Sequence, residues 1–79
     1  MSDLNKLKKI FEETFALKAD IKVEKLKYNE IEEWDSIGHM TLISNIEEKF
    51  KLTMETDEIV NFSSFDEGKE ILKKKGLSF

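Results

Sequence analysis

The chain is 79 residues long, 39% hydrophobic and 38% charged, with a net charge of −4 and no cysteine. That length makes one domain, residues 1–79, near the lower size limit for folding without staples, and the missing cysteine excludes disulfides, thiolate metal sites and a cysteine nucleophile. The single histidine, His39, excludes any site needing two imidazoles, uninterrupted apolar runs of two or three residues are too short for a membrane span, and a net-acidic chain whose cations are all lysine argues against nucleic acid.

The chain opens Met1-Ser2-Asp3-Leu4 and turns charged at once, which is no signal peptide, so a cytoplasmic location is expected. Leu4, Leu7, Ile10, Phe11 and Phe15 recur at three- and four-residue spacing and predict an amphipathic helix over about 3–17, capped by Ser2 or Asp3. Residues 18–35 keep no period. Ile21, Val23, Leu26, Tyr28, Ile31 and Trp34 are scattered among charges there, and without Pro or Gly the stretch reads as a long ordered loop pinned by its apolar side chains.

A second helix is expected from Ser36 to Phe50, with Asp35 as N-cap, an inner stripe of Ile37, Met40, Ile43, Ile46 and Phe50, and Leu42 beside it. Thr56 is positioned to cap a short third helix through Asp57, Glu58, Ile59 and Val60. Ser64 and Glu67 form a capping box for a last helix that keeps Phe65, Ile71 and Leu72 inside. Lys73, Lys74 and Lys75 suit its final turn, Gly76 its stop, and Gly68 interrupts it where a close helix approach would need a glycine. The expected fold is all-α, a small four-helix bundle of three longer helices and one short.

Charge is uneven along this plan. Residues 1–27 hold seven lysines and five acids, residues 28–70 three lysines and twelve acids, and residues 71–79 three lysines alone. An acidic middle between basic ends points to a basic partner at the middle.

The chemistry-bearing segment is Trp34-Asp35-Ser36-Ile37-Gly38-His39-Met40. A serine on the first turn of a helix faces free backbone N–H groups and the positive end of the helix dipole, a setting suited to a phosphodiester on its hydroxyl. Ser36 and His39 stand three residues apart, but no acid is evident behind the imidazole and no oxyanion hole is encoded, so the chain is expected to catalyse nothing by itself. Trp34 reads as structural, a hydrophobic staple against His39; a protonated His39 facing a phosphate is the alternative.

Asp35-Ser36-Ile37 resembles the Asp-Ser-Leu signature of the acyl carrier protein and peptidyl carrier superfamily. The context extends the resemblance across the chain: a long preceding loop, then Ile43, Ile46, Glu47, Glu48 and Phe50, then Met54, Asp57-Glu58 and Ser63-Ser64-Phe65. The resemblance implies a 4′-phosphopantetheine arm attached to Ser36 by a phosphopantetheinyl transferase, with Asp35 supporting attachment and the terminal thiol carrying cargo as a thioester. That arm would supply the sulfur the chain lacks. It also implies a monomer served by an acyl-loading, adenylating enzyme and by an acyltransferase or synthase.

Gly38 stands where fatty-acid carriers often have an acid, residues 38–46 contain none, and Trp34 precedes the signature. These departures look more like stand-alone carriers of specialised pathways. A D-alanyl or other aminoacyl carrier is the alternative within the superfamily, and an unmodified helical interaction module the alternative outside it. Docking is expected through Glu32, Glu33, Glu47, Glu48, Asp57 and Glu58, with apolar contributions from Ile37, Met40 and Thr41. Met40, Ile43, Phe62 and Phe65 are expected to line the space between the second and last helices, and their bulk predicts short or polar cargo.

Overall fold

The computed structural model describes residues 3–18 and 20–79, and the proposed cap Ser2 lies outside them. Helix α1 (Asp3–Phe15) buries Leu7, Ile10, Phe11 and Phe15, the stripe its spacing predicts. Asp3 sits in its first turn, where its carboxylate accepts a hydrogen bond from the Ser78 amide at 2.9 Å. The helix stops at Phe15 because Ala16 turns left-handed (φ 50°), and the Leu17 amide donates back to the Glu12 carbonyl at 3.0 Å. That is the Schellman geometry, and it recurs at Lys51 (φ 54°) and Gly76 (φ 101°) after the second and last helices.

The long loop is ordered, as its apolar residues predict. Val23, Leu26 and Trp34 are buried, and a single 3-10 turn spans Val23–Lys25. Its second half is stitched to the chain before the last helix, the Tyr28 amide donating to Ser63 and the Phe65 amide to Leu26. These bonds give the loop the backbone partners that a buried segment must find.

Helix α2 (Ser36–Phe50) has the predicted limits, but its inner face differs from the predicted stripe. Leu42, Ile43 and Ile46 are buried and Phe50 half-buried, whereas Ile37 is 79% and Met40 54% exposed. Steps of three residues fall short of a full helical turn by about 60° each. Three such steps therefore carry Ile37 to the side opposite Ile46.

Helix α3 (Thr56–Asn61) is capped by Glu55 rather than Thr56, with the Glu58 carboxylate accepting from the Glu55 amide at 2.7 Å. Helix α4 (Phe65–Lys74) starts on Ser64, whose hydroxyl accepts from the Glu67 amide at 3.0 Å. It buries Phe65, Gly68 and Leu72 and leaves Ile71 half-buried. Among the described residues the architecture is a small all-helical bundle with no strands, and no helix is long and apolar enough to cross a membrane.

Gly68 is where α4 meets the buried Phe62 ring, and a Cβ there would overlap that ring. Overpacking of this kind costs ~1–3 kcal/mol, while alanine regains ~1 kcal/mol of helix propensity. Gly68→Ala is expected to lower the urea midpoint, the reverse of what propensity alone predicts. An unchanged or raised midpoint would show that Phe62 moves aside freely.

Candidate functional site

Trp34 closes the loop and fixes where α2 begins. Its indole is fully buried, stacked on Phe15 and edge-on to Phe11, each with centroids 5.4 Å apart. The next residue, Asp35, is extended, and its carboxylate accepts from the Gly38 amide at 2.8 Å while its carbonyl accepts from the His39 amide at 2.8 Å. The predicted N-cap is therefore in place.

Gly38 has a steric reason. The Glu33 carbonyl oxygen lies where a Cβ would be, so the loop crosses directly over the first turn of α2. A side chain at this position, acidic or not, would displace backbone.

Ser36 is exposed on that first turn, and its hydroxyl lies 3.3 Å from the Tyr28 hydroxyl. The amides of the first helical residues have no intrahelical acceptor; the Asp35 carboxylate takes that of Gly38, leaving those of Ser36 and Ile37 beside the hydroxyl. The result is an accessible nucleophilic oxygen with adjacent donors for an anion.

Both ring nitrogens of His39 are bonded within the fold. The Trp34 Nε1–H donates to its Nδ1 at 2.9 Å, with the two rings side by side, centroids 6.2 Å apart and planes 15° from parallel. An indole N–H can only donate, so Nδ1 accepts and the proton resides on Nε2. That nitrogen lies 2.8 Å from the Ile59 carbonyl and donates to it. The staple is present, and both ring nitrogens are committed to partners other than Ser36.

A groove of about 370 Å3 opens beside Ser36, lined by Tyr28, His39, Met40, Ile59, Val60, Phe62 and Ser63. Met40 and Phe62, expected between the second and last helices, line this groove between α2 and α3 instead, and Ile43 and Phe65 are buried in the core. Sequence reasoning missed Tyr28, Ile59 and Val60. Val60 is 72% exposed on the groove wall, next to a half-buried Ile59, so an apolar pair in a short helix divides between the two faces.

The other proposed docking residues separate into two groups. Ile37, Thr41, Glu32, Glu33, Glu48 and Asp57 are exposed, with the Thr41 hydroxyl donating to the Ile37 carbonyl at 3.1 Å. Glu47 and Glu58 are half-buried and engaged within the fold. The Glu47 carboxylate accepts from the Met54 amide at 2.9 Å, and Glu58 pairs with Lys75 at 2.9 Å as well as capping α3. Compared with known proteins, the chain matches no protein-family model, no curated protein and no solved structure.

The Glu55 amide, and then Lys75, hold the Glu58 carboxyl below the usual glutamate range. A depressed value means that its stabilisation is complete above the ordinary glutamate pKa of ~4.3 and is lost as pH falls through the folded-state value. Urea midpoints of wild type and Glu58→Gln should differ at neutral pH and converge below about pH 4. A constant offset across that range would mean that the carboxylate charge contributes nothing.

Proposed function

We propose that the chain is a carrier protein whose Ser36 holds a 4′-phosphopantetheine arm, and that it delivers thioester-bound acyl cargo to partner enzymes without catalysing a reaction itself. The observation that carries this reading is the exposed Ser36 hydroxyl on the capped first turn of α2, at the mouth of an apolar groove. In the attachment step the Ser36 Oγ–P bond forms as the phosphoanhydride of coenzyme A breaks. The hydroxyl proton passes to a base on the transferase, and adenosine 3′,5′-bisphosphate leaves. Asp35 holds the turn open for that reaction by capping Gly38.

The resulting phosphodiester would carry a negative charge beside the Ser36 and Ile37 amides and within reach of the Tyr28 hydroxyl. Incubation with a phosphopantetheinyl transferase and coenzyme A should add one arm to the wild type by intact mass, and none to Ser36→Ala. The variant should keep its fold, because the hydroxyl is outside the core. An arm on Ser36→Ala, or none on the wild type, overturns the reading.

Docking would rest first on the apolar rim. Ile37 and Met40 flank Ser36 on the outer face of α2, and Val60 lines the groove with Met40 from α3. Burying an isoleucine yields ~1.5–3 kcal/mol, whereas a surface ion pair yields ~0–1 kcal/mol and weakens with salt. Ile37→Ala should therefore slow arm transfer at every ionic strength. Reversal of the exposed acids in the double variant Glu48→Lys, Asp57→Lys should slow it modestly and flatten its salt dependence. A silent Ile37→Ala beside a charge reversal that abolishes transfer would make the interface electrostatic instead.

A further inference from the structure

The wall of the groove opposite α2 is formed by the short helix α3. Helix α3 has six residues and buries none of them completely. One end is held by Lys75, whose ammonium pairs with Glu58 at 2.9 Å and donates to the Thr53 carbonyl at 2.8 Å. The other end is held at Ile59, whose side chain rests against the core and whose carbonyl accepts from His39 Nε2 at 2.8 Å. That carbonyl belongs to the last turn of α3, where it also accepts the Phe62 amide at 3.4 Å, so the bond from His39 is the shorter of its two.

His39 is itself rigidly seated. Trp34 bonds to Nδ1 with its ring nearly coplanar, while Tyr28 and Phe62 meet the imidazole edge-on at 5.5 and 6.2 Å. His39 and the fully buried Phe62 line the groove, whereas Leu42, Ile43 and Ile46 are buried in the core and do not line it. Any group tethered to Ser36 that is to pass below the groove must therefore part α3 from α2. Parting them breaks the bond from His39 to Ile59.

We infer that His39 is the specificity-determining residue of the carrier, a tie between α2 and α3 that confines cargo to the surface groove and so limits its length. The inference rests on the carrier reading for the identity of the cargo. The mechanical claim about α3 stands independently. His39 is a positioning residue, acting on cargo through α3. Glutamine can replace both of its bonds, offering an oxygen to Trp34 and an N–H to Ile59, whereas leucine can make neither.

Two measurements test it separately. In the unmodified protein, removing one hydrogen bond of ordinary strength should raise amide exchange in 56–61 by about tenfold in His39→Leu, with little change in α1 and with His39→Gln close to wild type. Equal exchange in α3 of wild type and His39→Leu overturns the tie, whatever Ser36 carries. In the second measurement, arms bearing acetyl, octanoyl and tetradecanoyl groups are installed from the corresponding acyl-coenzyme A. Methyl signals of Leu42, Ile43 and Ile46 should stay in place in wild type and His39→Gln at every length, and shift in His39→Leu with the two longer chains. Shifts in the wild type with the longer chains overturn the limit on cargo while leaving Ser36 as the attachment point. If His39→Leu does not fold, the wild-type length series decides alone. Failure of any arm to attach would instead overturn the carrier reading, with the exchange result still deciding the tie.

Discussion

The hydrogen bond from the Trp34 indole to His39 Nδ1 couples the three parts of the molecule on which the rest depends. The indole is buried against Phe11 and Phe15 of α1, so the end of the long loop is fixed by the first helix. Its N–H, sequestered from water, needs an acceptor, since an unpaired buried donor costs ~1–3 kcal/mol. Meeting that need selects one tautomer of His39, and the tautomer puts a donor on the other ring nitrogen, facing the Ile59 carbonyl in the last turn of α3. One buried aromatic thus sets the start of α2, the proton position on His39 and the attachment of the third helix.

Most helix positions were legible because burial of an amphipathic face decides them. The limits of α2 were legible for a further reason, a capping aspartate at one end. Helix ends marked by conformation alone were not. Ala16 and Lys51 adopt left-handed backbone at a site usually given to glycine, so only the third of three similar ends, at Gly76, carried a signal. The inner stripe of α2 was misassigned at its start because a run of apolar residues three apart looks periodic while drifting around the helix. The pair His39 and Leu42 with Ile43, Ile46 and Phe50 follows the inward face, and its polar member concealed it.

Within the candidate site, the serine, its capping aspartate and the Trp34–His39 contact were readable from adjacent residues. The long-range partners were not. Tyr28 reaches Ser36 only because the loop is bonded to the segment before α4, a contact between residues some thirty-five apart in the chain. His39 reaches Ile59 across twenty residues, through a carbonyl that no side-chain pattern reports. Backbone acceptors at helix ends are invisible in sequence, and here one of them holds a wall of the groove.

The glycine after Ile37 links packing to recognition. Because Glu33 crosses over Gly38, the loop lies close against the first turn of α2, and no side chain fits on that turn at position 38. What remains exposed around Ser36 is then Ile37 and Met40 from α2, with Tyr28 and Val60 across the groove. The acids that sequence reading would place beside them are partly withdrawn, Glu47 to the Met54 amide and Glu58 to Lys75 and the cap of α3. Their carboxylates hold the fold together on one side while the other side of α2 is left apolar. A partner approaching Ser36 therefore meets a surface whose nearest features are shape and hydrocarbon, with the free negative charge of Glu48 and Asp57 lying on exposed positions of α2 and α3. Charge can orient such an encounter, but the area available for close contact at the serine is apolar.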